Sequence, residues 1–309
     1  MKNIAFLFAG QGAQSVGMGK DLYEANPTAR AVFDMGEALR PGTEALCFSG
    51  ESAVLNRTEN TQPCLFLTDL AIARALAAAG VTPDAVAGFS LGEIPAAAFA
   101  GMFSDEDAFR LVTLRGERMG ACSARHPGGM VAVLKLDRAT VDALCDKYPE
   151  VWAVNYNCPG QIACAGNADV LDAFAEDVKN AGGRAVRLAV SGAFHTPYMQ
   201  DVVADLQTFM DNHAPVTPKI PLYANRTGVP YPTDRAGMTD TLSHQVCSPV
   251  RWEDTLRAMW EAGIRTFVEV GAGATLTGLV RRTLPEATMF TVNDLASLEK
   301  TADALTTEV

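Results

Sequence analysis

Between Val86 and Ala96 the chain reads VAGFSLGEIPA, a short apolar run that ends in Gly88-Phe89-Ser90-Leu91-Gly92 and passes into alanine-rich sequence. A serine between two glycines, where a strand hands over to a helix, fits G-x-S-x-G, in which small neighbours let a tight turn lift the hydroxyl clear. The N–H after the serine can then bind an oxyanion. A plain βα turn with a helix N-cap is the rival reading of the same five residues. A serine nucleophile needs a base, and the chain has four histidines. His126 precedes Pro127 and Gly128 in linker-like sequence, and His244 lies in the polar segment LSHQ. His213 sits in DNHAP at an expected helix end, where a cation is favoured for structural reasons. His195, in SGAFHTPYM, stands on an expected loop just before a helix. Residue types alone leave the choice of base open.

Elements able to hold such a serine are legible around it. IAFLFAG reads as a buried strand of parallel type, short, apolar and stopped by glycine. An irregular stretch follows, then a buried helix from Gln62 to Ala79, the strand DAVAGF, a helix from Leu91 to Gly101 and an amphipathic helix from Asp105 to Met119 with Ser104 as N-cap. From about residue 128 to 190 the pattern changes. GMVAVLKL, VWAVNYN, QIACAG and RAVRLAV read as strands, with helices over Arg138–Lys147 and Ala168–Ala181. That βαββαβ order is the split-βαβ signature of a ferredoxin-like subdomain. We therefore expect an insertion over residues 127–191 in a larger α/β domain formed by residues 1–126 and 192–309. Downstream come helices over about 197–212, Glu253–Ala262 and 274–284, and the strands TFVEVG and MFTVND. Alternating βα units imply a mostly parallel sheet covered on both faces.

Composition bounds the function. The 309 residues carry a net charge of −11, which argues against broad nucleic-acid binding, since that needs a basic face. The seven cysteines are scattered without a CxxC, which suits buried thiols in a reducing, cytoplasmic setting. No apolar stretch reaches membrane-span length, and KNIAFLFAG is too short an apolar run for a signal peptide and reads better as a first strand. GQGAQ lacks the third glycine of a dinucleotide fingerprint. GAGATLTG, near residues 271–278, has no following P-loop lysine and reads as a structural turn.

Taken together, FLFAGQGAQSVGMG, GFSLGE, LVTLRGERM, NYNCPGQIACAG, SGAFHTPYM, SPVRWEDTL and FVEVGAGATLTGLVRR resemble the malonyl-CoA:acyl carrier protein transacylase family, to which polyketide synthase acyltransferase domains are related. The resemblance covers nearly the whole chain. It implies an α/β-hydrolase-like parallel-sheet domain with a ferredoxin-like insertion, in agreement with the element order. It also implies Ser90 as nucleophile and His195 as base, with the histidine oriented by the backbone carbonyl of Gln245 rather than by an aspartate. The backbone N–H groups of Gln11 and Leu91 would form the oxyanion hole, and Arg115 would grip the free carboxylate of malonyl. Phe194, beside the base, would exclude an α-methyl group. The implied reaction is ping-pong malonyl transfer from malonyl-CoA to the phosphopantetheine thiol of acyl carrier protein, with no metal or cofactor.

Two positions depart from the family pattern. Phe89 stands where a histidine that helps hold the arginine is usual, so Arg115 needs another polar partner or moves more freely. Ala274 stands where a lysine is frequent, which implies a weaker phosphate or carrier contact. Two rival functions remain at this stage: a hydrolase on the same scaffold, and a non-catalytic binder of acyl carriers.

Overall fold

The computed structural model describes residues 3–190 and 192–307; residue 191, where the expected insertion ends, lies outside them. The strands in chain order are β1 Ile4–Phe8, β2 Ala85–Gly88, β3 Gly128–Leu134, β4 Val151–Cys158, β5 Gln161–Asn167, β6 Arg184–Arg187, β7 Leu222–Tyr223, β8 Thr266–Val270 and β9 Thr288–Val292. Five of them form a parallel sheet in the order β7-β2-β1-β8-β9. Every residue of β1, IAFLF, is buried, which explains why the strand is an unbroken apolar run: helices cover both faces of a parallel sheet. The register sets Phe8 opposite both Gly88 and Val270, so the carboxyl ends of three central strands finish level. Crevices outside such strand ends are where open α/β sheets bind ligands.

The second sheet has four antiparallel strands in the order β4-β5-β3-β6. With helices Arg138–Cys145 and Leu171–Asn180 it forms the ferredoxin-like subdomain, around its own core of Val131, Val141, Leu144, Phe174 and Val178. Strand β6 ends at Arg187, earlier than RAVRLAV suggests. The subdomain is tied back to the large sheet's side by hydrogen bonds from Tyr156 N–H to the Val250 carbonyl (2.9 Å) and from Val250 N–H to the Val154 carbonyl (2.8 Å).

The stretch read as irregular is helical: Lys20–Ala25, Pro27–Leu39, Thr43–Ser49 and Ser52–Leu55. These helices are mostly short and closely spaced, so no long period announces them. Their punctuation was nonetheless present. The Asn26 side chain accepts from Thr28 and Ala29 N–H groups, with Pro27 in the first turn, a start signal that works because proline has no N–H to lose there. Helices Arg235–Ser243 and Leu295–Thr306, likewise absent from the sequence reading, are capped by Asp234 and Asp294. The helix that begins after Ser104 runs on to Arg125, beyond the expected Met119.

Candidate active site

Ser90 follows β2 and opens a tight turn, Ser90–Gly92, ahead of helix Glu93–Phe99. Its φ of 54° lies in the left-handed region, as does the 62° of His195. Non-glycine residues held there cost of order 1–3 kcal/mol and cluster at functional sites. The flanking glycines serve space rather than torsion. A Cβ on Gly88 would stand 1.9 Å from the Gly92 carbonyl group, and one on Gly92 would stand 2.4 Å from the Phe8 oxygen. Asn225, just after β7, clamps the elbow: its Oδ1 accepts the Ser90 N–H at 2.7 Å and its Nδ2 donates to the Gly88 carbonyl at 2.6 Å.

The structure brings His195 to the serine, with Nε2 2.7 Å from Ser90 Oγ. On the other side of the ring, Nδ1 lies 3.0 Å from the Gln245 carbonyl and 3.2 Å from that of Ser248. Carbonyl oxygens can only accept, so Nδ1 carries the proton and Nε2 presents its lone pair to the serine hydroxyl. Burial, aided by the positive charge of Arg115, pulls the His195 pKa down to about 4, against the two carbonyls. The imidazole is therefore neutral near pH 7, as a base must be. The other histidines are engaged elsewhere. His126 caps its helix and stacks on Tyr198, while His213 and His244 each sit 3.0 Å from an aspartate oxygen, of Asp107 and Asp240.

Arg115 is buried on helix Asp105–Arg125. Its Nη1 donates to Gln62 Oε1 at 2.7 Å, and its Nη2 to Gln245 Oε1 at 2.8 Å and Ser90 Oγ at 3.3 Å. Among the described residues its Nε has no hydrogen-bond partner. Burial lowers its pKa to about 10, so it remains a cation at neutral pH, aimed by neutral acceptors. A buried guanidinium with its charge unneutralised at the fork suits a ligand carboxylate.

These groups border a cavity of about 250 Å³ that also touches Gln11, Phe89 and Phe194. Leu91, buried, follows the serine in the turn, and Gln11 is held by the Thr58 hydroxyl, which donates to its Oε1 at 2.9 Å. Phe89 turns its ring edge-on to Trp252, with centroids 5.4 Å apart. The polar partners that a histidine at 89 would have helped supply are present as Gln62 and Gln245. Phe89→His is accordingly expected to leave the malonyl-to-acetyl ratio of kcat/KM within about threefold of wild type and to lower Tm through the lost aromatic contact, worth about 1 kcal/mol. Steady-state kinetics with both thioesters checks this.

The glycine-rich turn after β8 is a structural one. Gly271 and Gly273 take φ of 133° and 77°, and beyond Ala274 the N–H groups of Leu276 and Thr277 donate to the Glu269 carboxylate at 2.9 and 2.7 Å. An internal anion thus occupies the helix end that a phosphate would otherwise seek. Sequence reasoning missed Asn225, Gln62, Glu93 and the side chain of Gln245. Nothing local marks them, because their partners lie far along the chain.

Residues 5–307 match the family described as acyl transferase domain. A malonyl CoA-acyl carrier protein transacylase of Bacillus subtilis is 36% identical over 314 aligned residues, covering all of this chain and 99% of that protein. The crystal structure of such a transacylase from Clostridium perfringens superposes with a TM-score of 0.93 at 37% identity, covering 98% of this chain and 96% of that one. A malonyl-transacylase solved in complex with its type II polyketide synthase acyl-carrier protein gives the same TM-score, 0.93, at 32% identity, over 97% of this chain and 99% of that one. With a family match over nearly its whole length and relatives more than 30% identical across it, the chain belongs to the acyl transferase family, alongside the malonyl CoA-acyl carrier protein transacylases.

Proposed function

We propose that this protein transfers malonyl from malonyl-CoA to the phosphopantetheine thiol of acyl carrier protein, supplying malonyl carrier for fatty-acid synthesis. The observation that carries the reading is the buried Arg115 guanidinium, 3.3 Å from the hydroxyl of a serine that itself sits 2.7 Å from a neutral imidazole. Ser90 Oγ attacks the thioester carbon as His195 Nε2 takes its proton. Backbone N–H groups of Gln11 and Leu91 hold the oxyanion, and the imidazolium then protonates the departing thiolate of CoA. In the second half the carrier thiol gives its proton to His195 and attacks the malonyl-serine ester, and the imidazolium returns that proton to the departing Ser90 Oγ. Each step moves an acyl group and a proton, so the cycle asks for no cofactor. Gln245 orients the base through its carbonyl, and Phe194 fills the space an α-methyl substituent would need. We assign residues 1–126 and 192–309 to the catalytic domain and residues 127–191 to the insertion, a reading supported by Met130, Asn155 and Leu188 lining the cavity beside Ser90. No helix among the described residues is long and apolar enough to cross a membrane. We place the enzyme in the cytoplasm, with a diffusible carrier as partner.

The test is intact-mass analysis after mixing with malonyl-CoA and then with holo-carrier. The expected result is a stoichiometric adduct of about 86 Da, discharged by the carrier but slowly by water. Rapid loss of the adduct without carrier identifies a hydrolase. Arg115→Ala is expected to cut malonyl transfer roughly ten- to hundredfold more than acetyl transfer, the worth of one charge-assisted pair. Equal losses with both acyl groups would give Arg115 a structural role only.

A further inference from the structure

We propose that Glu93, the first residue of the helix beyond the elbow, is a positioning residue for Arg115: its carboxylate pins the side-chain amide of Gln245, and the pinned amide aims the guanidinium. The inference rests on the malonyl reading above and assigns the selection of the acyl group to a chain of three side chains rather than one.

Glu93 is fully buried, and its carboxylate gathers three donors. Oε1 accepts from the Tyr231 hydroxyl. Oε2 accepts from the Asn225 N–H at 3.1 Å and from Gln245 Nε2 at 2.9 Å. The same Gln245 Nε2 also donates to the Ser90 carbonyl at 2.7 Å. With two acceptors on its NH₂ side, the amide has one chemically sensible orientation, which turns Oε1 to Arg115 Nη2 at 2.8 Å. Flipped, it would set NH₂ against a guanidinium donor and a carbonyl against two acceptor oxygens, leaving buried polar groups unpaired. Glu93, together with the Ser90 carbonyl, therefore decides which face of the amide Arg115 meets. Gln62 Oε1 fixes the second arm of the fork at 2.7 Å. Both arms end on neutral oxygens, so the guanidinium is oriented without a direct ion pair. Gln245 thereby does two jobs: its backbone carbonyl faces His195 Nδ1 and its side chain faces Arg115. On Gln245, Glu93 acts through the side chain and not through the carbonyl that faces His195, while its contact with the Asn225 N–H ties it to the elbow.

The experiment compares wild type, Glu93→Met and Glu93→Gln by kcat/KM for malonyl-CoA and acetyl-CoA, with Tm for each protein. Methionine keeps length and removes the acceptors, so the malonyl-to-acetyl ratio is expected to fall about tenfold or more, chiefly through the malonyl KM. Glutamine can set its carbonyl at the Oε2 position and turn its NH₂ to the phenol oxygen of Tyr231, which accepts. It should restore most of the lost ratio. A Glu93→Met ratio equal to wild type, parallel losses for both thioesters, or a Glu93→Gln protein as unselective as Glu93→Met would each overturn the proposal. If Glu93→Met does not fold, Gln245→Met removes the same amide while keeping the backbone carbonyl. A fall in the ratio there supports the proposal and an unchanged ratio overturns it. Wild-type protein that takes acetyl as readily as malonyl refutes the malonyl reading itself, an outcome distinct from a selective wild type with an indifferent Glu93.

Discussion

Ser90→Ala is expected to form no acyl-enzyme and to lower malonyl transfer by at least about 10⁴-fold, the scale seen when a nucleophile working as a unit with its base is removed. The substitution is clean for structural reasons. Alanine keeps the Cβ, so the turn at φ 54° carries the strain it already carries. The hydrogen bond between Ser90 N–H and Asn225 involves the backbone and survives. What disappears is one oxygen, 2.7 Å from His195 Nε2 and 3.3 Å from Arg115 Nη2. Those two groups face the cavity, where water can replace the hydroxyl, so the change in Tm should correspond to about 1 kcal/mol. Activity and stability are thereby separated. Intact mass after incubation with malonyl-CoA reads the result, and an adduct of about 86 Da on the Ser90→Ala protein would move the nucleophile elsewhere.

Parts of this site that announce themselves locally were legible in the sequence. Ser90 lies in a pentapeptide whose glycines are demanded by backbone approaches of 1.9 and 2.4 Å, and such demands are written at the positions that feel them. The centre of the large sheet was legible because β1 and β2, buried throughout, are apolar runs, whereas the two-residue edge strand β7 is too short to announce itself; the insertion was legible because its strands and helices alternate in a countable order. The groups that orient the chemistry were not. Asn225 stands 135 residues from Ser90, Gln62 53 from Arg115, and Gln245 152 from Glu93. A buried glutamine or glutamate carries no sign in sequence that it is buried; only the fold gives it the partners that make burial tolerable. The choice among four histidines follows the same logic. His244 meets Asp240 four residues away, His213 and His126 meet Asp107 and Tyr198 across the fold, and His195 is selected by two carbonyls some fifty residues downstream. The helices between Lys20 and Leu55 were missed for a different reason: three of the four span only four to seven residues, and only Pro27–Leu39 has a side-chain cap, at Asn26.

His195→Asn is the companion experiment, chosen because asparagine tolerates the left-handed backbone that His195 adopts at φ 62°. The shorter side chain cannot hold a base at Ser90 Oγ, and acylation by malonyl-CoA should fall about 10²- to 10⁴-fold. The wild-type pH profile provides the sharper reading. With the imidazole pKa drawn down to about 4 by burial and by Arg115, acylation should stay level as pH falls from neutral and decline only as that value is approached. An ordinary histidine would already be half protonated near pH 6.5. Burial raises the Glu93 carboxyl to about 7, so a break near pH 6.5 in kcat/KM that persists in Glu93→Gln would mean that the working imidazole is solvated and that burial does not set its basicity. The same shift acts on stability, with a definite sign. A histidine whose folded pKa lies below its unfolded value of about 6.5 binds more protons when unfolded between those two values, so its contribution to stability falls as pH drops through that window. From pH 7 to below pH 4 the loss amounts to about 3 kcal/mol for a shift of this size. His195→Asn removes the titrating group while leaving the buried carboxyl of Glu93 in place. Subtracting the urea-unfolding free energies of wild type and variant at pH 7 and again near pH 4.5 should therefore show the wild type losing ground relative to the variant as the pH falls. A difference that stays constant with pH would place His195 in contact with solvent, and the catalytic plateau would have to disappear with it.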